Sequence, residues 1–157
     1  MNHNHHNNNN NHYLRLLLMA VLSFISMYAL MYAMVNTPAN IYLSLNQFYM
    51  AGLMTAPMVV IELALMGAMY HNKRLNALII AASAIALAVF WILIRQQTAI
   101  SDKQFLRSMI PHHAGAILMC EQALITDPEI KDLCRSIISG QQSEIDQMEA
   151  KLGELER

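Results

Sequence analysis

Residues 16–61 read LLLMAVLSFISMYALMYAMVNTPANIYLSLNQFYMAGLMTAPMVVI and carry no charged side chain. A helix rising about 1.5 Å per residue crosses the roughly 30 Å hydrocarbon layer in about 20 residues, so this stretch is too long for one crossing. Asn36-Thr37-Pro38-Ala39-Asn40 divides it with turn-forming residues. Working outward, the pattern predicts three membrane helices, over residues 13–35, 48–70 and 75–94. Tyr13, Tyr32, Tyr42, Tyr49 and Tyr70 fall near their ends, where amphipathic rings suit the membrane interface. Arg15 before an apolar run has the form of a signal peptide. Tyr28–Ala33 offers no small-x-small cleavage site, however, and the run exceeds a usual signal core, so the segment is expected to be retained.

Composition divides the chain again. Of its 157 residues only 13% are charged, against about 25% in soluble domains. Residues 13–94 hold four charged side chains (Arg15, Glu62, Lys73, Arg74), while residues 95–157 hold seventeen. The first region therefore reads as membrane and the second as water-facing. A net charge of -1 without a long basic run gives nucleic acid no electrostatic footprint to bind. The first loop has no basic residue and the second, His71-Asn72-Lys73-Arg74, has two, which places the N-terminus and second loop in the cytoplasm and the C-terminal segment outside. Residues 1–12, with His3, His5, His6 and His12 among asparagines, read as a disordered low-complexity tail.

The water-facing segment, residues 95–157, is expected to form a two-helix hairpin. Ser101 with Gln104 is a capping-box pattern opening one helix, which carries Phe105, Met109, His112, His113, Ala116, Met119 and Cys120 at helical spacing. Pro111 is expected to kink it. Asp127-Pro128-Glu129 is a restart with N-cap, first-position proline and acidic first turn. The second helix carries Ile130, Leu133, Cys134, Ile137, Gln141, Ile145, Met148 and Leu152 as its stripe. Two helices of this size bury too little alone. Either self-association or packing onto the membrane helices is expected to complete the fold.

Chemistry concentrates in Met109-Ile110-Pro111-His112-His113 and Met119-Cys120. Imidazole suits several ions, but thioether favours Cu(I), and by the same logic Ag(I), over Zn, Mg or Ca. Di-iron bundles place Glu three residues before the metal-binding His; here Met109 and Ile110 stand there. Adjacent histidines diverge by about 100 degrees on a helix, so two sites, or one shared between helices, is implied. Inside the membrane region Glu62 is the only acidic residue, and such a carboxylate is costly enough to suggest function. A Ser or Thr partner or a cation path is expected for it. Met50, Met54 and Met58 form an i, i+4, i+8 row leading towards Glu62, with Met27, Met31 and Met34 on the first span.

Phe105, Met109 to His113, Ala116-Ile117, Met119, Asp127-Pro128-Glu129 and Gln141-x-x-Glu144-Ile145-x-x-Met148 resemble the DUF305 family over about residues 101–150. That family has ferritin-like helical hairpins and includes a periplasmic copper-binding protein. The resemblance implies His112, His113, Met109, Met119 and Met148 as copper or silver ligands, with Gln141 and Glu144 as motif positions. The three-span arrangement is also similar to short membrane proteins of bacterial heavy-metal resistance loci. Cys120 and Cys134 lie seven residues either side of Asp127, so a disulfide and shared thiolate ligation to Cu(I) are both open.

The expected fold class is thus all-α: three transmembrane helices, then a ferritin-like antiparallel hairpin completing a bundle by oligomerisation. The expected function is a non-catalytic, membrane-anchored Cu(I)/Ag(I)-binding protein of the bacterial inner membrane, with a periplasmic hairpin that buffers metal or hands it to an efflux or chaperone partner. The competing expectation is a scaffold whose hairpin is an oligomerisation module. No nucleophile–base pair with an orienting acid points to an enzyme.

Overall fold

The computed structural model describes the backbone of residues 3–157 and the side chains of residues 11–157. Among the described residues there are five α-helices and no strand: α1 (His3–Leu30), α2 (Leu45–Leu65), α3 (Lys73–Gln96), α4 (Asp102–Gln122) and α5 (Pro128–Leu155), with short 3₁₀ turns at Met31–Met34 and Pro38–Asn40. They form two compact units, residues 1–30 with 48–98 and residues 31–47 with 99–157.

In the apolar unit, three helices are long and apolar enough to cross a membrane: Asn11–Met34, Leu45–Leu65 and Lys73–Gln96. α1 begins at His3, where the sequence predicts a disordered tail over residues 1–12. Adding a residue to an existing helix gains a hydrogen bond without a new nucleus, which lets poor helix formers extend an apolar helix. Of the tail histidines only the His12 side chain is among those described; its ring meets Tyr70 edge-on at 6.4 Å. His3, His5 and His6, and any metal contact by them, lie outside the described side chains.

The second span ends at Leu65 rather than at residue 70. Gly67 stands in the turn that follows, and the chain folds back so that Tyr70 is buried with Leu16 and Leu63, packed by Tyr13, Met19, Val59, Met69 and Ile79. This core ties all three helices together near the second loop. At Gly52 an added Cβ would lie 2.4 Å from the Phe90 ring, so glycine allows α2 and α3 their close approach. Asn72 caps α3 by accepting from the Leu75 N–H at 3.0 Å.

The hairpin unit is built on antiparallel α4 and α5. Ile110, Ala114, Ile117, Ile145 and Leu152 form its buried core, with Val35, Tyr42, Leu106, Ile138 and Met148 packed around it. Val35 and Tyr42 belong to the first loop, so the chain itself supplies cover that the sequence sought in a second copy or the membrane helices. Backbone around Met34 lies 3.5 Å from where a Gly115 Cβ would stand. Leu45 N–H donates to Gln104 Oε1 at 2.9 Å, and Asn46 Nδ2 donates to Ser108 Oγ at 3.2 Å.

That first contact changes the expected capping box. Ser101 occupies the N-cap position but its side chain makes no capping bond, and the Gln104 side chain, which in a capping box would reach back to Ser101 N–H, serves the loop instead. α4 passes through Pro111 without ending. At α5 the sequence reading holds: Asp127 accepts from the N–H groups of Glu129 and Ile130 at 2.8 and 3.0 Å, with Pro128 in the first turn. The predicted stripes are only partly buried. Phe105, Met119, Ile130 and Leu133 are exposed, and the core forms in the half of the hairpin that the first loop covers.

Candidate metal centre

His113 sits on the buried face of α4 between Ile110 and Ile117. A buried imidazole must satisfy both ring nitrogens, and here each has a partner. Nδ1 lies 2.8 Å from the Met109 carbonyl oxygen, one turn back. A carbonyl only accepts, so Nδ1 carries the hydrogen. Nε2 faces Glu144 Oε2 on α5 at 2.7 Å, linking the two helices. In metal-binding histidines one ring nitrogen is fixed on a carbonyl or carboxylate and the other holds the ion; here the carbonyl takes Nδ1 and Glu144 takes Nε2.

His112 points elsewhere. It is exposed, as the angular step between neighbouring helical residues requires, although its ring centroid remains 5.9 Å from that of His113. Met109 is half-buried and places its carbonyl on His113. Met148 is half-buried against the core, one turn beyond Glu144 and so on the same side of α5. Gln141 is half-buried one turn before Glu144. Met119 faces outward. The donors expected to share one side of α4 thus divide: His113 is buried in the seam, Met109 is half-buried, and His112 and Met119 are exposed.

Cys120 and Cys134 are joined as a disulfide with a Cα–Cα distance of 5.3 Å, so of the two options open from sequence the structure shows the disulfide. A disulfide has no thiolate to offer a metal. Among the described residues no group of three or more His, Cys, Asp or Glu comes together to hold an ion.

Glu62 belongs to the apolar unit, in the last turn of α2. Its partner is the Tyr70 hydroxyl, not the Ser or Thr expected. The methionine row is split: Met50 and Met54 face outward, while Met58 turns to a groove shared with Met19 and Met27 on α1.

Sequence reasoning missed the polar cluster at the other end of the hairpin seam. Arg107 Nη2 donates to Glu156 Oε1 at 2.6 Å. Burial first, then the charge and hydrogen bond of Glu149, then Glu156, hold the Tyr42 hydroxyl above its ordinary pKa of 10.0, with Arg107 opposing. The available signal was a tyrosine in a short loop beside a hairpin lacking cover.

The sequence comparisons cover more than the hairpin. A protein of Acanthamoeba polyphaga mimivirus, itself described as uncharacterized, is 39% identical over 142 residues, spanning 88% of this chain and 91% of its own length. No solved structure gives a significant match. The family model "Domain of unknown function (DUF305)" matches residues 50–152, extending the resemblance seen over residues 101–150 back through α2 and α3. The chain belongs to the DUF305 family.

Proposed function

We propose that this protein is a membrane-anchored Cu(I)- or Ag(I)-binding protein acting in metal tolerance, which buffers the ion or passes it to an efflux or chaperone partner. The observation that carries this reading is the setting of His113. Its ring is oriented by the Met109 carbonyl and its Nε2 faces Glu144 across the helix seam, with Met109 one turn before His113 on α4 and Met148 one turn after Glu144 on α5. Soft monovalent ions favour such sulfur-containing sets. Glu144, whose side chain is more than half exposed, swings out as the ion takes Nε2. His112 and Met119 on the outer face are the donors through which a partner receives it. The role is non-catalytic.

Three crossings place the first loop and the hairpin on one side of the membrane, which agrees with their packing as one unit. The disulfide favours an oxidising compartment on that side. Lys73 and Arg74 favour the cytoplasm for the second loop. In the bacterial inner-membrane setting that the resemblance implies, the hairpin side is the periplasm.

The test is competition for Cu(I) against a chromophoric chelator. His112→Ala combined with His113→Ala is expected to weaken binding by at least tenfold, and unchanged affinity would sink the proposal. A second reading, a scaffold whose hairpin is an oligomerisation module, draws on the exposed Met119, Leu124, Ile130 and Leu133 at the hairpin tip. It predicts that Leu124→Ser with Leu133→Ser dissociates an oligomer in detergent, with or without metal.

A further inference from the structure

We propose that the groove between α1 and α2 seats an acyl chain of an anionic phospholipid, with Arg15 holding the lipid phosphate. The inference rests on α1 as a membrane span and stands apart from the metal reading.

The groove follows a single stripe of α1. Arg15, Met19, Ser23, Met27 and Leu30 succeed one another at steps of three or four residues and so share one helix face, while Met58 of α2 lines the opposite wall. Its volume is about 620 Å³, and sites for small ligands run from about 300 to 1,000 Å³. Apart from Arg15, Ser23 and Ser26 the lining is apolar. The Ser23 hydroxyl is turned onto the Met19 sulfur at 3.6 Å. Such walls suit hydrocarbon.

The cation stands at one end of this groove. Arg15 lies four residues inside the span Asn11–Met34, about 6 Å by helix rise, from where its long side chain reaches headgroup level. It is exposed, and among the described residues it forms no ion pair. Glu62, the one acidic residue of positions 13–94, is engaged by Tyr70. Tyr13 Oη donates to Asn76 Oδ1 at 2.7 Å, which sets this end of α1 beside the loop carrying Lys73 and Arg74. Basic residues near the surface attract anionic lipid, and a guanidinium meets phosphate with two parallel hydrogen bonds. Phosphatidylcholine brings its own cation; a lipid of net negative charge leaves its phosphate to Arg15.

Length separates this occupant from a second copy of the chain. Half of the roughly 30 Å hydrocarbon layer is about 15 Å, or about ten residues of α1. A lipid held at Arg15 therefore covers Leu22 and ends short of Leu30. A helix from a second copy would fill the groove along its whole length. Leu22 and Leu30 both line it and are 61% and 69% exposed, so tryptophan at either fills groove without entering a core.

The test is native mass spectrometry of the full chain in detergent, titrated with dioleoyl phosphatidylglycerol or dioleoyl phosphatidylcholine. Phosphatidylglycerol is expected to bind at least fivefold more tightly, about the effect of one basic residue at an anionic surface. Arg15→Gln is expected to abolish that preference and Arg15→Lys to keep part of it. Leu22→Trp should weaken phosphatidylglycerol binding at least fivefold and Leu30→Trp less than twofold, with helix content by circular dichroism unchanged in both. Equal binding of the two lipids by the parent, or a preference that survives Arg15→Gln, would overturn the assignment. Equal losses in Leu22→Trp and Leu30→Trp, accompanied by loss of a dimer, would overturn it in favour of a second copy.

Discussion

In the apolar unit Leu17 and Leu22 are 60% and 61% exposed, whereas in the hairpin unit Ile110, Ile117 and Ile145 are at most 1% exposed. Similar aliphatic side chains therefore serve opposite purposes in the two parts of one chain. In a membrane, lipid is as apolar as leucine, and packing between helices relies on small residues and polar contacts. Gly52 against Phe90 and the Glu62–Tyr70 contact are of those kinds. In water the same residues must be hidden, and the hairpin hides them by drawing the first loop over α4. The comparison separates residues whose loss should unfold a unit from residues whose loss should only change its surface.

The largest contrast is between matched truncations. Ile145→Ala is expected to destabilise the hairpin unit by about 2–5 kcal/mol, through lost burial and the cavity left behind. Leu17→Ala is expected to stay within about 0.5 kcal/mol, as surface substitutions usually do. Denaturant melts in detergent, followed by circular dichroism, check both. Similar losses for the two would remove the distinction between the units.

The hairpin can also be weakened without touching its core. Cys120 and Cys134 are 14 residues apart, and opening a loop of that size by Cys120→Ser with Cys134→Ser should cost about 3 kcal/mol in the chain-entropy account. Asp127→Ala removes the acceptor for two N–H groups and should cost about 1 kcal/mol. Both losses should appear in the hairpin melt and leave the apolar helices unchanged.

The smallest expected effect concerns pH. Burial and Glu149 hold the Tyr42 pKa above 10.0 in the folded state, so folding favours the protonated phenol. The stabilisation is complete below the unfolded value and is lost as pH rises through the raised one. Melting points measured from pH 8 to pH 12 should fall more steeply for the parent than for Tyr42→Phe. Parallel curves would remove Tyr42 from the seam's energetics.

These contrasts also mark what could be read in advance. The three apolar helices were legible because a membrane span needs only length and apolarity. The restart at Asp127 was legible because capping is local chemistry. The Gln104 half of the capping box was lost for a tertiary reason, since its side chain is taken by Leu45 N–H, from a residue far away in sequence. Tyr70 was assigned to a helix because periodicity cannot show a chain folding back after Gly67. At the centre, His113 and Glu144 were each legible as motif positions. Their pairing across the seam depends on helix register, which two separate stripes do not supply. For the same reason His112 and His113 looked alike in sequence, although one is exposed and the other buried.

The central claim is that the ring held by the Met109 carbonyl offers its Nε2 to a soft metal ion. X-ray absorption at the copper edge, on Cu(I)-loaded full chain with the tail histidines changed to Ala, tests it most directly. The predicted spectrum has both sulfur and imidazole nitrogen around copper, with the nitrogen contribution diminished in His113→Ala and kept in His112→Ala. A spectrum that His113→Ala leaves unaltered, or a protein that holds no Cu(I), would contradict the account.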